Sequence, residues 1–112
     1  FEERIEKAMS YGVERKKIIL DPGFGFGKTI RHNFELLNSF TTFKSLKCML
    51  MAGVSRKSFL SINNNNPEDR LLETLFSTNI LIDKGADIIR VHDIYETYRI
   101  VNFLNKVKYY GS

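Results

Sequence analysis

Three short stretches of this 112-residue chain hold side chains able to do chemistry. They are Asp21-Pro22-Gly23-Phe24-Gly25-Phe26-Gly27-Lys28, Gly53-Val54-Ser55-Arg56-Lys57-Ser58 and Arg90-Val91-His92-Asp93. Asp21, ahead of Pro-Gly, can open a turn. Alternatively, its two oxygens can accept paired hydrogen bonds from the N–H and NH₂ edge of an amino-heterocycle. Arg56 and Lys57 can be a solvated pair, but a lysine one residue past a strand end is also placed to meet an anion or a ring carbonyl. Arg90 and His92, two residues apart, fall on one side of an extended segment. That pair suits a diphosphate clamp. His92 alone can equally be structural, and Asp93 reads first as a helix cap.

The glycine-rich stretch invites a nucleotide-loop reading and fails it. Gly27, Lys28 and Thr29 fit the end of Gly-x4-Gly-Lys-[Ser/Thr], but Pro22 stands at the first glycine. Proline has no N–H to offer a phosphate. The dinucleotide pattern Gly-x-Gly-x-x-Gly breaks at Lys28. The glycines can simply let the chain turn. The better reading is that they turn it tightly while Phe24 or Phe26 reaches a flat ligand.

The elements that must position these stretches form a strand-then-helix unit, repeated three times. Continuous apolar runs predict strands over about Lys17 to Asp21, Cys48 to Val54 and Asp87 to His92, buried on both faces. Phe1, Ile5, Ala8 and Met9 predict a helix before the first strand, closed by Gly12 as a left-handed cap. Phe34, Leu37, Phe40 and Phe43 predict a helical stripe after it. After the second strand, Asn66 as N-cap and Pro67 at the first position start a helix, which Lys84 and Gly85 end. Its expected apolar face is Leu71, Leu72, Leu75, Phe76 and Ile82. Asp93 and Glu96 form a capping-box-like pair ahead of Ile94, Tyr98, Val101 and Leu104.

Buried strands alternating with amphipathic helices predict an α/β fold of parallel βα units. In such folds the carboxyl ends of the strands form the functional rim. Here that rim would gather carboxylate, phenyl, lysine, arginine and imidazole side chains. Three strands cannot close a barrel, so residues 1–112 form either a small open sheet or part of something larger. The helical start at Phe1, with no initiator methionine, favours the second.

Composition narrows the classes. Lys and Arg number 17 against 13 Asp and Glu, giving +4, with 43% hydrophobic and 27% charged residues. That is globular composition and excludes a disordered tail. The basic residues are dispersed, with no run longer than the three at 15–17, which argues against a nucleic-acid face. No apolar run reaches membrane-span length and no signal-peptide pattern opens the chain, so no membrane partner is expected. The single cysteine, Cys48, cannot form an internal disulfide and fits the reducing cytoplasm.

Leu-Asp-Pro-Gly-Phe-Gly-Phe-Gly-Lys at 20–28, Gly-Val-Ser-Arg-Lys-Ser at 53–58 and Ile-Arg-Val-His-Asp at 89–93 together resemble the dihydropteroate synthase family, in its order and spacing. The resemblance covers essentially the whole chain. It implies the C-terminal portion of the pterin-binding domain, about three βα units of a (β/α)8 TIM barrel. The implied activity joins 6-hydroxymethyl-7,8-dihydropterin diphosphate to 4-aminobenzoate, giving 7,8-dihydropteroate and diphosphate in folate synthesis.

By this resemblance, Asp21 and Lys57 bind the pterin, and Phe26 and Ser55 face the 4-aminobenzoate. Arg90, Val91 and His92 bind the diphosphate, while Gly25 and Arg56 support the loops. No residue is assigned as a nucleophile. The family's magnesium ligand, an asparagine, belongs to the N-terminal half, so the 112-residue chain alone is expected to be inactive. The resemblance also implies a homodimer for the full-length protein. Glu73 departs from the family pattern, which usually has glycine there, and puts close packing beside Thr74 in question. The competing reading is a small phosphate-, nucleotide- or nucleic-acid-binding α/β module.

Overall fold

The computed structural model describes residues 1–25, 27–61 and 66–111. Helix α1 (Glu2–Ser10) ends as the sequence predicts, with Gly12 at φ +98° and the Gly12 N–H donating to the Met9 carbonyl. Strand β1 (Ile19–Leu20) leads to α2 (Ile30–Asn38), followed by a 3₁₀ segment, Phe40–Leu46. Strand β2 (Met49–Ala52) leads through a 3₁₀ turn, Pro67–Arg70, into α3 (Leu71–Asp83). Strand β3 (Ile88–Ile89) leads to α4 (Ile94–Gly111).

The sheet runs β1-β2-β3, all parallel, with Ile19 opposite Met49, Leu20 opposite Leu50, Met51 opposite Ile88 and Ala52 opposite Ile89. This register sorts the side chains into two faces. Leu20, Leu50 and Ala52 are buried and join Leu37, Phe40, Phe24, Phe59 and Leu81 in one hydrophobic core. On the opposite face Ile19 and Met49 stay 47% and 44% exposed.

The strands are therefore covered on one face, not two, and are shorter than their apolar runs. Ladder pairing defines a strand's length, and among the described residues β1 has a partner on one side only. Asp87 extends the β2–β3 seam with its side chain: the Leu50 N–H donates to Asp87 Oδ2 at 2.9 Å, and the Asp87 N–H donates to the Leu50 carbonyl at 2.8 Å.

The helices keep their places but not all of their predicted faces. In α2, Thr29 is the N-cap, its hydroxyl accepting from the His32 N–H, and Phe40 and Phe43 fall in the 3₁₀ segment beyond. The α3 face turned to the core is Thr74, Ser77, Thr78 and Leu81, whereas Leu72 and Phe76 are 77% and 69% exposed. Small side chains there let the helix approach the loop after β2, which larger ones would hold away. Asn66 precedes the 3₁₀ turn but makes no side-chain cap bond. In α4, Thr97 is the buried residue, and Ile94 and Tyr98 point outward.

Candidate functional site

All three polar stretches begin where their strands end, and the parallel sheet brings them to one edge. Arg90 follows β3 and extends back across β2. Its Nη1 donates to Asp21 Oδ2 at 2.8 Å and contacts Met51 Sδ at 3.4 Å. The guanidinium lies over Gly53, where a β-carbon would stand 2.8 Å from Nη2. Glycine at 53 thus provides the floor on which the arginine rests.

Beside it is a cavity of about 140 Å³ lined by Gly53, Ser55, Lys57, Arg90, Val91 and His92. The buried Ser55 hydroxyl accepts from the His92 backbone N–H at 3.1 Å and lies 2.8 Å from His92 Nδ1. Ser55 is thereby tied to the histidine.

Lys57 Nζ donates to the Phe24 carbonyl at 2.6 Å, linking the loop after β2 to the loop after β1. Burial lowers the Lys57 ammonium below the usual lysine value; Arg90 nearby acts in the same direction and Asp21 opposes them. Cations thus crowd a partly desolvated space, and the Asp21 carboxylate beside them is engaged with Arg90. An incoming anion would relieve that crowding.

Arg56 and Asp93 do not enter this cavity. Arg56 takes a left-handed φ of +57° and donates from Nη2 and Nε to the two Asp93 oxygens at 2.8 and 3.3 Å. Its backbone N–H donates to Thr74 Oγ1 at 3.0 Å, and its carbonyl accepts from Arg70 Nη1 at 2.7 Å. The hydrogen bond and charge of Arg56 hold the Asp93 carboxyl below the usual aspartate value, and the Arg56 pKa rises for the same reason. Asp93 stands directly before α4, its carbonyl accepting from the Thr97 N–H at 3.0 Å as the cap reading expects, while its carboxylate is engaged by Arg56. Thr74 is fully buried against this loop, so α3 packs closely there despite Glu73. The Glu73 Oε2 atom is itself buried and has no hydrogen-bond partner among the described residues.

The two phenyl rings of the first loop differ. Phe24 is 1% exposed and stacks between Phe40 and Phe59, with centroids at 6.4 and 5.9 Å. It is a core residue, which removes it as a candidate for reaching a ligand. Phe26 lies outside the described residues.

Sequence reasoning missed Asn33, Thr74 and Arg70, all of which hold these loops. Asn33 lies four residues before Leu37 and seven before Phe40, on the buried stripe. A polar residue at a core position of a helical repeat was the available signal.

A family model described as pterin binding enzyme matches residues 1–92. The chain belongs to the pterin-binding enzyme family.

A probable bifunctional folylpolyglutamate synthase/dihydropteroate synthase of Haloferax volcanii is 45% identical over 91 residues, covering 81% of this chain and 11% of that protein. Dihydropteroate synthase of Escherichia coli is 42% identical over 98 residues, covering 87% of this chain and 35% of the relative. The solved structure of the Xanthomonas albilineans dihydropteroate synthase in complex with 7,8-dihydropteroate superposes with a TM-score of 0.91 at 30% identity, covering 95% of this chain and 41% of that one. The chain thus spans about a third of its Escherichia coli relative's length. Its fold is the corresponding part of a (β/α)8 barrel, which accounts for the bare sheet face: in a pterin-binding barrel it points to the interior.

Magnesium does not fit the residues present. Among the described residues no three His, Cys, Asp or Glu side chains cluster to hold a metal ion. The rim offers Asp21 among cations, whereas a hard dication selects several oxygen ligands. No helix among the described residues is long and apolar enough to cross a membrane.

Proposed function

We propose that the natural protein is a dihydropteroate synthase of the cytoplasm, condensing 6-hydroxymethyl-7,8-dihydropterin diphosphate with 4-aminobenzoate. One observation carries this reading: Lys57, Arg90 and His92 converge on a cavity of about 140 Å³, next to the Asp21 carboxylate. A phosphate group and the amino-pyrimidine edge of a pterin are the two chemistries these neighbours suit.

In the reaction, the arylamine nitrogen attacks the pterin methylene carbon as the bond from that carbon to the diphosphate oxygen breaks. The diphosphate departs with the electron pair, and the new secondary amine loses a proton. Negative charge therefore grows on the bridging oxygen, and fixed donors aimed at it lower the barrier. Arg90, the Val91 backbone and His92 supply those donors in this reading. A Ser55 O–H donating to His92 Nδ1 would leave the imidazole proton on Nε2.

Asp21 takes the pterin's amino edge and Lys57 its ring carbonyl, while Phe26 packs on the aminobenzoate ring. Holding both reactants in line lowers the entropic part of the barrier. The 7,8-dihydropteroate bound by the Xanthomonas relative, the product of this condensation, supports the assignment, as do the three rim motifs.

A homodimer is part of the same proposal. A groove of about 810 Å³ between α3 and α4, lined by Leu72, Phe76, Tyr98 and Phe103 among others, lies away from the sheet.

The test is diphosphate release by the natural full-length protein given both substrates. Activity is expected, and Arg90→Ala should cut kcat/KM at least tenfold, about 1.4 kcal/mol. The 112-residue chain alone should show no turnover. Failure of the full-length protein to release diphosphate, or turnover by the isolated chain, would overturn the corresponding part of the proposal.

A further inference from the structure

We propose that Asn33 is a positioning residue for Lys57, acting through the peptide group that joins Phe24 to Gly25. This deepens the reading above and rests on it for its effect on turnover. Asn33 lies in the first turn of α2 and is 2% exposed. A buried amide needs partners for both its ends. The Asn33 carbonyl accepts from the Gly25 N–H at 2.7 Å, and its NH₂ donates to the Thr29 carbonyl at 3.0 Å.

The Gly25 N–H and the Phe24 carbonyl are the two poles of one planar peptide. Lys57 Nζ holds the other pole, donating to Phe24 O at 2.6 Å. The order is therefore Asn33 carbonyl, peptide N–H, peptide C=O, ammonium. Each dipole points the same way and polarises the next. Asn33 makes the Phe24 carbonyl a stronger acceptor and fixes the direction in which it faces.

The fixing is needed because of the residue it acts on. Gly25 sits at φ +98°, and glycine resists rotation of its peptide less than any other residue. A β-carbon there would stand 3.4 Å from Lys57 Cδ, so the glycine also leaves room for the lysine stem. Without the Asn33 carbonyl, the peptide can turn and the ammonium loses the acceptor that holds it beside Arg90 and Asp21. The cap supplies the anchor: Thr29 begins α2, so the Asn33 amide is set by the helix itself.

A double-mutant cycle in the natural full-length protein tests this. Asn33→Ala should lower kcat/KM for the pterin diphosphate about tenfold, but less than twofold in a Lys57→Ala background. Equal losses in both backgrounds would mean that Asn33 only supports the fold, and would overturn the proposal. A second measurement needs no activity and does not require the Asn33 variant to fold. Lys57→Ala, which removes no direct partner of the Gly25 N–H, should speed hydrogen exchange of that amide at least fivefold. An unchanged exchange rate would overturn the link through the peptide. If the wild-type protein shows no synthase activity, the substrate reading fails and the exchange measurement alone decides the role of Asn33.

Discussion

Replacing Gly53 by alanine is expected to unseat Arg90 while leaving the fold in place. The new β-carbon would stand 2.8 Å from Arg90 Nη2 and 3.0 Å from its Cζ and Nε. Gly53 is not among the residues at positive φ, so alanine can adopt its backbone conformation. The guanidinium ends a flexible stem and is the partner that must move. It then releases Asp21 and Met51 Sδ. The stability lost is small, because the Arg90 and Asp21 side chains are 55% and 37% exposed and such pairs contribute about 0–1 kcal/mol. The loss in binding is larger: a hydrogen bond from a cation to an anionic leaving group is worth about 1.5–3 kcal/mol, or roughly 10- to 150-fold in kcat/KM. Steady-state kinetics with varied pterin diphosphate, alongside a thermal melt, measure both. The variant should melt within a few degrees of wild type, and in an Arg90→Ala background it should cost little more. A Gly53→Ala enzyme with kcat/KM within twofold of wild type would refute the claim that Arg90 works from its place over residue 53.

Lys57→Ala should lower kcat/KM at least tenfold, and near-normal kinetics would remove Lys57 from the site. Phe24→Ala should cost about 3–5 kcal/mol of stability, seen by chemical denaturation. Phe24→Leu should leave the KM for 4-aminobenzoate unchanged, whereas a raised KM in a stable Phe24→Leu protein would return that ring to the ligand. The Asp93 carboxyl is held low by Arg56, so its contribution is fully present above the unfolded value of about 3.9 and is lost as pH falls through the lower folded value. The Tm deficit of Asp93→Asn should therefore be constant from pH 8 to 5 and shrink below about pH 4; a constant deficit down to pH 2 would contradict the pairing.

The sheet was legible in the sequence because Ile18-Ile19-Leu20, the run from Cys48 to Val54 and Ile88-Ile89 have no other use for continuous apolar surface. Apolar character alone did not show that Ile19 and Met49 would be uncovered, since burial on a second face depends on partners outside these residues. The rim was legible for a different reason. Parallel strands end at one edge, so Asp21, Lys57 and Arg90 could be assigned to one rim before their contacts were known. The face of α3 was misread because Leu72 and Phe76 outweigh Thr74 and Thr78 on any hydropathy scale. What places Thr74 inward is the hydrogen bond its hydroxyl accepts from the Arg56 N–H, a tertiary demand that no local pattern announces. For Asp93 the local part was legible, its place before α4, but the partner of its carboxylate is 37 residues away and no local pattern shows it.

The rim bonds also constrain how this surface can vary over time. Phe24 is joined to Lys57, Ser55 to His92, Arg56 to Asp93 and Asp21 to Arg90, so each turn is sewn to another from a distant part of the polypeptide. Lengthening any one of them by a single residue would pull at least two stitches at once. Length changes among descendants of this sequence should therefore collect at the opposite, amino-terminal ends of the strands. Around Asp21, Arg56 and Arg90 change should be confined to swaps of one side chain for another.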